Sequence, residues 1–222
     1  MDFERARFNM IEQQIRPWNV LDQDVLDLLS AVRREDFVPP AYRQMAFTDM
    51  EVPLTIGGRT TGETMLAPKV EARLLQELAV RRHESVLEIG AGSGYMAALL
   101  AGRAKHVDTL EIDADLARFA TENLARAGVA NATVRHADGA DPAVNLSTYD
   151  VIVLSGSVPA VPERLVAKLS PGGRLAAIVG ELPVMVAEIV TRSQGAGSST
   201  RILFETVARP LRGFPGKSAF RF

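Results

Sequence analysis

Three glycines set two apart, with acids placed behind them, are the residues whose types and spacing point to chemistry. Gly90-Ala91-Gly92-Ser93-Gly94 follows the largely apolar run Val86-Leu87-Glu88-Ile89, and Tyr95-Met96 opens an alanine- and leucine-rich run to Ala104. Glycine tolerates positive φ and has no Cβ, so such a turn lets backbone come close to a ligand. A helix starting just after it presents unpaired N–H groups and the positive end of its dipole to the same place. A nucleotide-like cofactor suits that arrangement. Glu111 closes the next apolar run, where a carboxylate can accept hydrogen bonds from both hydroxyls of a ribose. Asp138, in Ala137-Asp138-Gly139, follows a third run and is placed to receive an adenine amino group. Glu88, inside the first run, can face an ammonium.

A dinucleotide site would carry G-x-G-x-x-G. Here the spacing is G-x-G-x-G, and Tyr95 stands where the third dinucleotide glycine belongs. The G-x-G-x-G turn, Glu111 and Asp138 together resemble the class I S-adenosylmethionine-dependent methyltransferases. Other candidates carry less. His83, His106 and His136 fall near predicted strand starts at spacings that fit no metal motif, so structural or solvated roles are expected and no metal site is read. Ser155-Gly156-Ser157 follows a fourth apolar run, where a doubly wound sheet places its ligands, and either serine can line the site. No G-x-S-x-G elbow accompanies them, which argues against serine hydrolase chemistry.

The elements that must hold these residues follow from the hydrophobic period. Strands are expected at 85–89, 106–112, 132–137, 149–154 and 173–179, alternating with helices at 94–104, 114–127 and 160–169. Near-continuous apolar strands alternating with helices predict an α/β, Rossmann-like, doubly wound and mainly parallel sheet. Residues 184–190 and 201–208 read as a final strand pair joined by the flexible Ser193–Thr200 stretch. Ahead of the sheet lies a helical extension. Phe8, Ile11 and Ile15 share one helix face, Asp22 caps a second helix, and Pro68 opens a third carrying Val70, Leu74, Leu75 and Leu78. Residues 41–67 are irregular, with Pro53, Gly57, Gly58 and Gly62, and are expected to form a long functional or mobile loop. A single domain over 1–222 is expected, with 1–80 supplying N-terminal helices and an acceptor-side loop, and 81–222 the cofactor-binding core and C-terminal strands.

Composition bounds the function. The 222 residues are 47% hydrophobic and 23% charged, the balance of a globular chain that buries a core. A formal charge of −2 gives no overall pull toward nucleic acid or membrane, and neither is expected as a partner. Without cysteine there is no disulfide, thiolate zinc site or thiol nucleophile. No apolar run approaches membrane-spanning length, Met1-Asp2-Phe3-Glu4-Arg5 has no apolar h-region, and a cytoplasmic location is expected. The tail from Arg209 to Phe222 holds four basic and no acidic side chains and three phenylalanines, and is expected to dock on the body or on a partner subunit.

A closer resemblance covers most of the chain. Met10-Ile11-Glu12-Gln13-Gln14-Ile15-Arg16, Arg34-Glu35-Asp36-Phe37-Val38-Pro39 and Asp49 to Gly57 are similar to segments of the protein-L-isoaspartate O-methyltransferases, as are Leu87 to Tyr95, Pro171-Gly172-Gly173-Arg174-Leu175 and Val179-Gly180. The resemblance implies S-adenosyl-L-methionine as cofactor and S-adenosyl-L-homocysteine as product. It implies protein or peptide acceptors with isoaspartyl residues, and a monomer or homodimer. The cofactor residues it implies are Glu88, Gly90, Ala91, Gly92, Ser93, Gly94, Glu111, Ile112, Asp138 and Gly139. One position departs. Where the family has G-Q-T-I-S-x-P, this sequence has Gly62-Glu63-Thr64-Met65-Leu66-Ala67-Pro68, so Leu66 replaces the active-site serine and cannot donate a hydrogen bond. Thr64, and behind it Thr61, are the hydroxyls left to orient an acceptor. Three readings stay open: the family reaction, a related methyltransferase with another small-molecule or protein acceptor, and a cofactor-binding protein without turnover.

Overall fold

The computed structural model describes residues 2–214. Helix α1 (Phe3–Met10) is capped by the Asp2 carboxylate and passes through a π-turn at Ile11–Ile15 into a 3-10 turn, Arg16–Trp18, around Pro17. Helix α2 (Gln23–Ala31) begins as expected at Asp22, whose carboxylate accepts the Asp24 N–H. Strands β1 (Val52–Ile56) and β2 (Arg59–Met65) pair antiparallel, and α3 (Pro68–Leu78) follows. This hairpin corrects the expectation of an irregular loop over 41–67. Gly57 and Gly58 sit at φ of 56° and 83°, the two consecutive positive values that a tight two-residue hairpin turn requires, and the sequence signal for it is the Gly-Gly pair.

The sheet comprises β3 (Ser85–Ile89), β4 (His106–Glu111), β5 (Ala132–His136), β6 (Tyr149–Val158), β7 (Leu169–Glu181), β8 (Val184–Arg192) and β9 (Ser198–Thr206). Its order is β5-β4-β3-β6-β7-β8-β9, with β3 to β7 parallel and the last two strands antiparallel. Between the parallel strands run α4 (Tyr95–Ala101), α5 (Ala114–Arg126) and the single turn α6 (Glu163–Val166), the last far shorter than the helix expected over 160–169. The doubly wound, mainly parallel α/β architecture is as read. Because β3 has β4 on one side and β6 on the other, the strand order reverses there, and ligands of such sheets bind outside the strand ends at that point.

Each face of the sheet has its own core. Val86 and Val107 pack with α3, α4 and the N-terminal helices, while Leu87, Ile89 and Leu110 pack with Ile152, Leu154 and Leu165 on the other face. Helix α3 buries Val70, Leu74, Leu75 and Leu78 completely or nearly so. At about 1.5–3 kcal/mol per buried aliphatic side chain, this one stripe anchors the extension to the sheet. The extension also carries buried charge. Arg34, fully buried, bonds the Glu71 carboxylate and donates to the Leu66 carbonyl at 2.7 Å, and its guanidinium lies 4.8 Å from the centre of the Tyr95 ring. No helix among the described residues is long and apolar enough to cross a membrane.

Of the tail, Arg209 to Phe214 are described and dock on the body, as expected. Ser157 N–H donates to the Arg209 carbonyl and Leu211 N–H to the Ser157 carbonyl, a short parallel bridge along β6. Phe220 and Phe222 lie outside the described residues.

Candidate active site

The cleft opens at the reversal point of the sheet. The turn after β3 runs through Gly90, Gly92 and Gly94 at φ of 94°, 53° and 83°, values a side chain would strain at each position. Gly90 and Gly92 line the cleft with Ile89, Glu111, Ile112, Ala137, Gly139 and Ser155. A smaller cavity continues from it, sharing Thr64, Gly90, Gly92 and Ser155, and reaches Leu66, Glu71, Glu88, Ala91, Ser93 and Met96.

Glu111 sits at the end of β4 with both carboxylate oxygens engaged by backbone, from Gly92 N–H at 2.8 Å and Asp113 N–H at 3.0 Å. These bonds fix its orientation at the cleft, and each oxygen keeps a lone pair free for a further donor. Burial raises its carboxyl above the usual range, against the pull of those N–H groups. Glu88 is fully buried in the floor of the smaller cavity. It accepts hydrogen bonds from Thr109 at 2.6 Å and Ser155 at 2.7 Å. Burial pushes its carboxyl up to about 8, against the pull of the two hydroxyls, and among the described residues no cation faces it. A buried carboxylate without a counter-charge is a ready receptor for an ammonium.

The remaining residues expected at the site fall into different places. Ala91, Ser93, Ile112 and Gly139 are lining residues. Gly94 lines neither cavity; a Cβ there would lie 3.1 Å from the Ala120 carbonyl, so this glycine lets α4 pack on α5. Asp138 is flanked by the lining residues Ala137 and Gly139, but its own carboxylate accepts the Ala140 N–H at 2.8 Å and lies against Gly213. Thr64 does reach the cleft, yet its hydroxyl donates to the Glu51 carboxylate at 2.9 Å. That bond engages the one proton a hydroxyl has to give. Thr61 points elsewhere and donates to the Leu54 carbonyl at 2.7 Å. Leu66, in the serine's place, is buried and walls the smaller cavity beside Glu88 and Met96. His106 bonds Asp108 and His136 contacts the Ile112 carbonyl.

Sequence reasoning missed the residues that arrive from far along the chain. Leu211 and Arg212 close over the cleft from the tail. A Cβ on Gly90 would lie 2.8 Å from Leu211, and one on Gly156 equally close, so both glycines exist beside a packed leucine. Arg212 reaches back to the hairpin, 3.0 Å from Glu63 and 3.8 Å from Asp113. The basic, acid-free composition of the tail was the one available signal, and it pointed to docking without saying where.

Comparisons with known proteins agree with this geometry. A family model described as protein-L-isoaspartate(D-aspartate) O-methyltransferase matches residues 5–208. The protein-L-isoaspartate O-methyltransferase of Methanoculleus marisnigri is 42% identical over 176 residues, covering 79% of this chain and 78% of that one. The enzyme of the same name from Koribacter versatilis is 33% identical over 219 residues, covering 99% and 96%. Among solved structures, a β-aspartate methyltransferase of Plasmodium falciparum in complex with S-adenosyl-L-homocysteine superposes with a TM-score of 0.75 at 22% identity, over 96% of this chain and 99% of that one. At that identity the likeness concerns the fold.

Proposed function

The chain belongs to the protein-L-isoaspartate O-methyltransferase family, and from its cleft we infer how it carries out that family's reaction, methyl transfer from S-adenosylmethionine to the isoaspartyl carboxylate of proteins. The observation that carries the reading is the pairing of Glu111 at the strand end with the uncompensated Glu88 in the cavity behind it. The first offers two oriented acceptors to a ribose, and the second a buried carboxyl that ionises when an amino-acid ammonium is placed against it. A dinucleotide would have no use for the second.

We propose that Glu88, Gly90, Ala91, Gly92, Ser93, Glu111, Ile112 and Gly139 hold the cofactor, with Asp138 turning from Ala140 toward the adenine and Gly94 acting through helix packing. When bound, S-adenosylmethionine supplies a methyl group on a positively charged sulfur, which a carboxylate oxygen takes by in-line displacement while the electron pair of the broken bond stays on sulfur. A carboxylate with a pKa of about 4 is ionised at neutral pH, so no side chain has to remove a proton. The chain's own work is to bind, align and exclude water. Leu66, Leu54 and Leu211 are apolar walls suited to that task. Loss of the serine removes one orienting donor from a reaction that needs no base.

A cytoplasmic location, and a monomer or homodimer, complete the reading. The test supplies labelled S-adenosylmethionine with an isoaspartyl peptide and its aspartyl twin. Label on the isoaspartyl peptide alone is expected; tight cofactor binding with no transfer would overturn the assignment in favour of another acceptor or of binding without turnover.

A further inference from the structure

Beside the cofactor cleft lies a second cavity of about 520 Å³, which meets it at Leu211. Its walls are largely apolar, with Val158, Met185, Val207 and Phe214 among them, and its charged lining residues are Arg209, Glu181 and Glu51, the last already engaged by Thr64. A carboxylate entering here needs a donor. The neutral hydroxyls nearby have none left: Thr64 donates to Glu51, Ser155 to Glu88, and Ser157 to the Ala208 carbonyl at 2.9 Å. Of the tail's cations, Arg212 is paired with Glu63 at the cofactor end. Arg209 is exposed, and among the described residues no carboxylate forms an ion pair with it. Residues two apart in an extended segment share a face, and the bridge to Ser157 holds Arg209 and Leu211 in that relation.

Resting on the functional reading above, we propose that Arg209 is the residue that grips the acceptor's carboxylate, in place of the missing serine hydroxyl. A guanidinium offers paired N–H donors that match a carboxylate edge-on and is always charged, so it holds an ionised acceptor in one orientation. The apolar wall takes the side chain of a neighbouring residue in the peptide. Methylation converts the carboxylate to a neutral ester, which loses the charge that the guanidinium binds. The same residue therefore favours substrate over product and assists release.

The experiment compares wild type with Arg209→Gln and Arg209→Lys, using S-adenosylmethionine and a short isoaspartyl peptide. For Arg209→Gln the peptide KM is expected to rise roughly ten- to a hundredfold. Affinity for S-adenosylhomocysteine, measured by calorimetry, should stay within about twofold, and Arg209→Lys should recover part of the loss. Raising the salt concentration should increase the wild-type KM and leave that of Arg209→Gln nearly flat. An unchanged KM in Arg209→Gln overturns the clamp, and so does a parallel loss of cofactor affinity, which would show that Arg209 only holds the tail in place. If wild type transfers nothing to the peptide, the acceptor assignment itself falls and the clamp with it.

Discussion

The hydroxyl of Thr64 donates to the carboxylate of Glu51 at 2.9 Å, so the only hydroxyl of the 62–68 stretch at the cleft has its one proton engaged by that carboxylate. The second Glu51 oxygen is buried without a partner among the described residues, which leaves the carboxylate dependent on this one bond. Thr64→Val should therefore act on stability. We expect a loss of about 1–3 kcal/mol in urea unfolding, with kcat changed by less than about threefold. A hundredfold fall in kcat with stability intact would restore Thr64 to a direct role.

Glu111 is tied down by two backbone N–H groups and is expected to face the ribose. Glu111→Ala should weaken S-adenosylhomocysteine binding by roughly ten- to a hundredfold, the worth of two hydrogen bonds to a charged acceptor. Calorimetric titration measures this directly. Unchanged affinity would mean that the ribose lies elsewhere.

Glu88 makes stability depend on pH. Its folded pKa, raised to about 8, means that the native state keeps a proton which the unfolded chain releases near pH 4 to 5. The stability it contributes is complete at low pH and is lost as pH rises through about 8. The thermal midpoint of the cofactor-free protein should thus fall between pH 5 and 8. Glu88→Gln, neutral at every pH, should shallow that slope, and an identical slope in the variant would refute the assignment.

The Arg34–Glu71 pair offers a double-mutant test. Glu71→Leu alone leaves a fully buried guanidinium without its counter-charge, a change that typically costs about 3–5 kcal/mol. Arg34→Leu combined with Glu71→Leu removes both charges and should recover a large part of that loss in denaturant unfolding. Because Arg34 also bonds the Leu66 carbonyl, the double variant should show a larger effect on peptide KM than on cofactor affinity. A double variant no more stable than Glu71→Leu would show that Arg34 is held for the Leu66 contact and not for the ion pair.

Much of this protein is local in origin. The five parallel strands, the cap at Asp22, the glycine turn and the acid at the end of β4 each follow from residue types at short spacing, because strand period, capping and glycine's freedom act within a few residues. The hairpin at Gly57-Gly58 was local too, and was hidden by the polar, threonine-rich strands around it. What the sequence could not decide are the meetings of distant residues. Whether a hydroxyl is free depends on the acceptor next to it, and Glu51, thirteen positions away, accepts the hydrogen bond of Thr64. A basic tail carries no address, and only packing lays Leu211 over Gly90 and leaves Arg209 beside a cavity with no ion-pair partner among the described residues. The cofactor is thus specified by short-range pattern, whereas the grip on the acceptor is assembled across the whole chain, since hydrogen-bond partners and exposure are properties of neighbours in space.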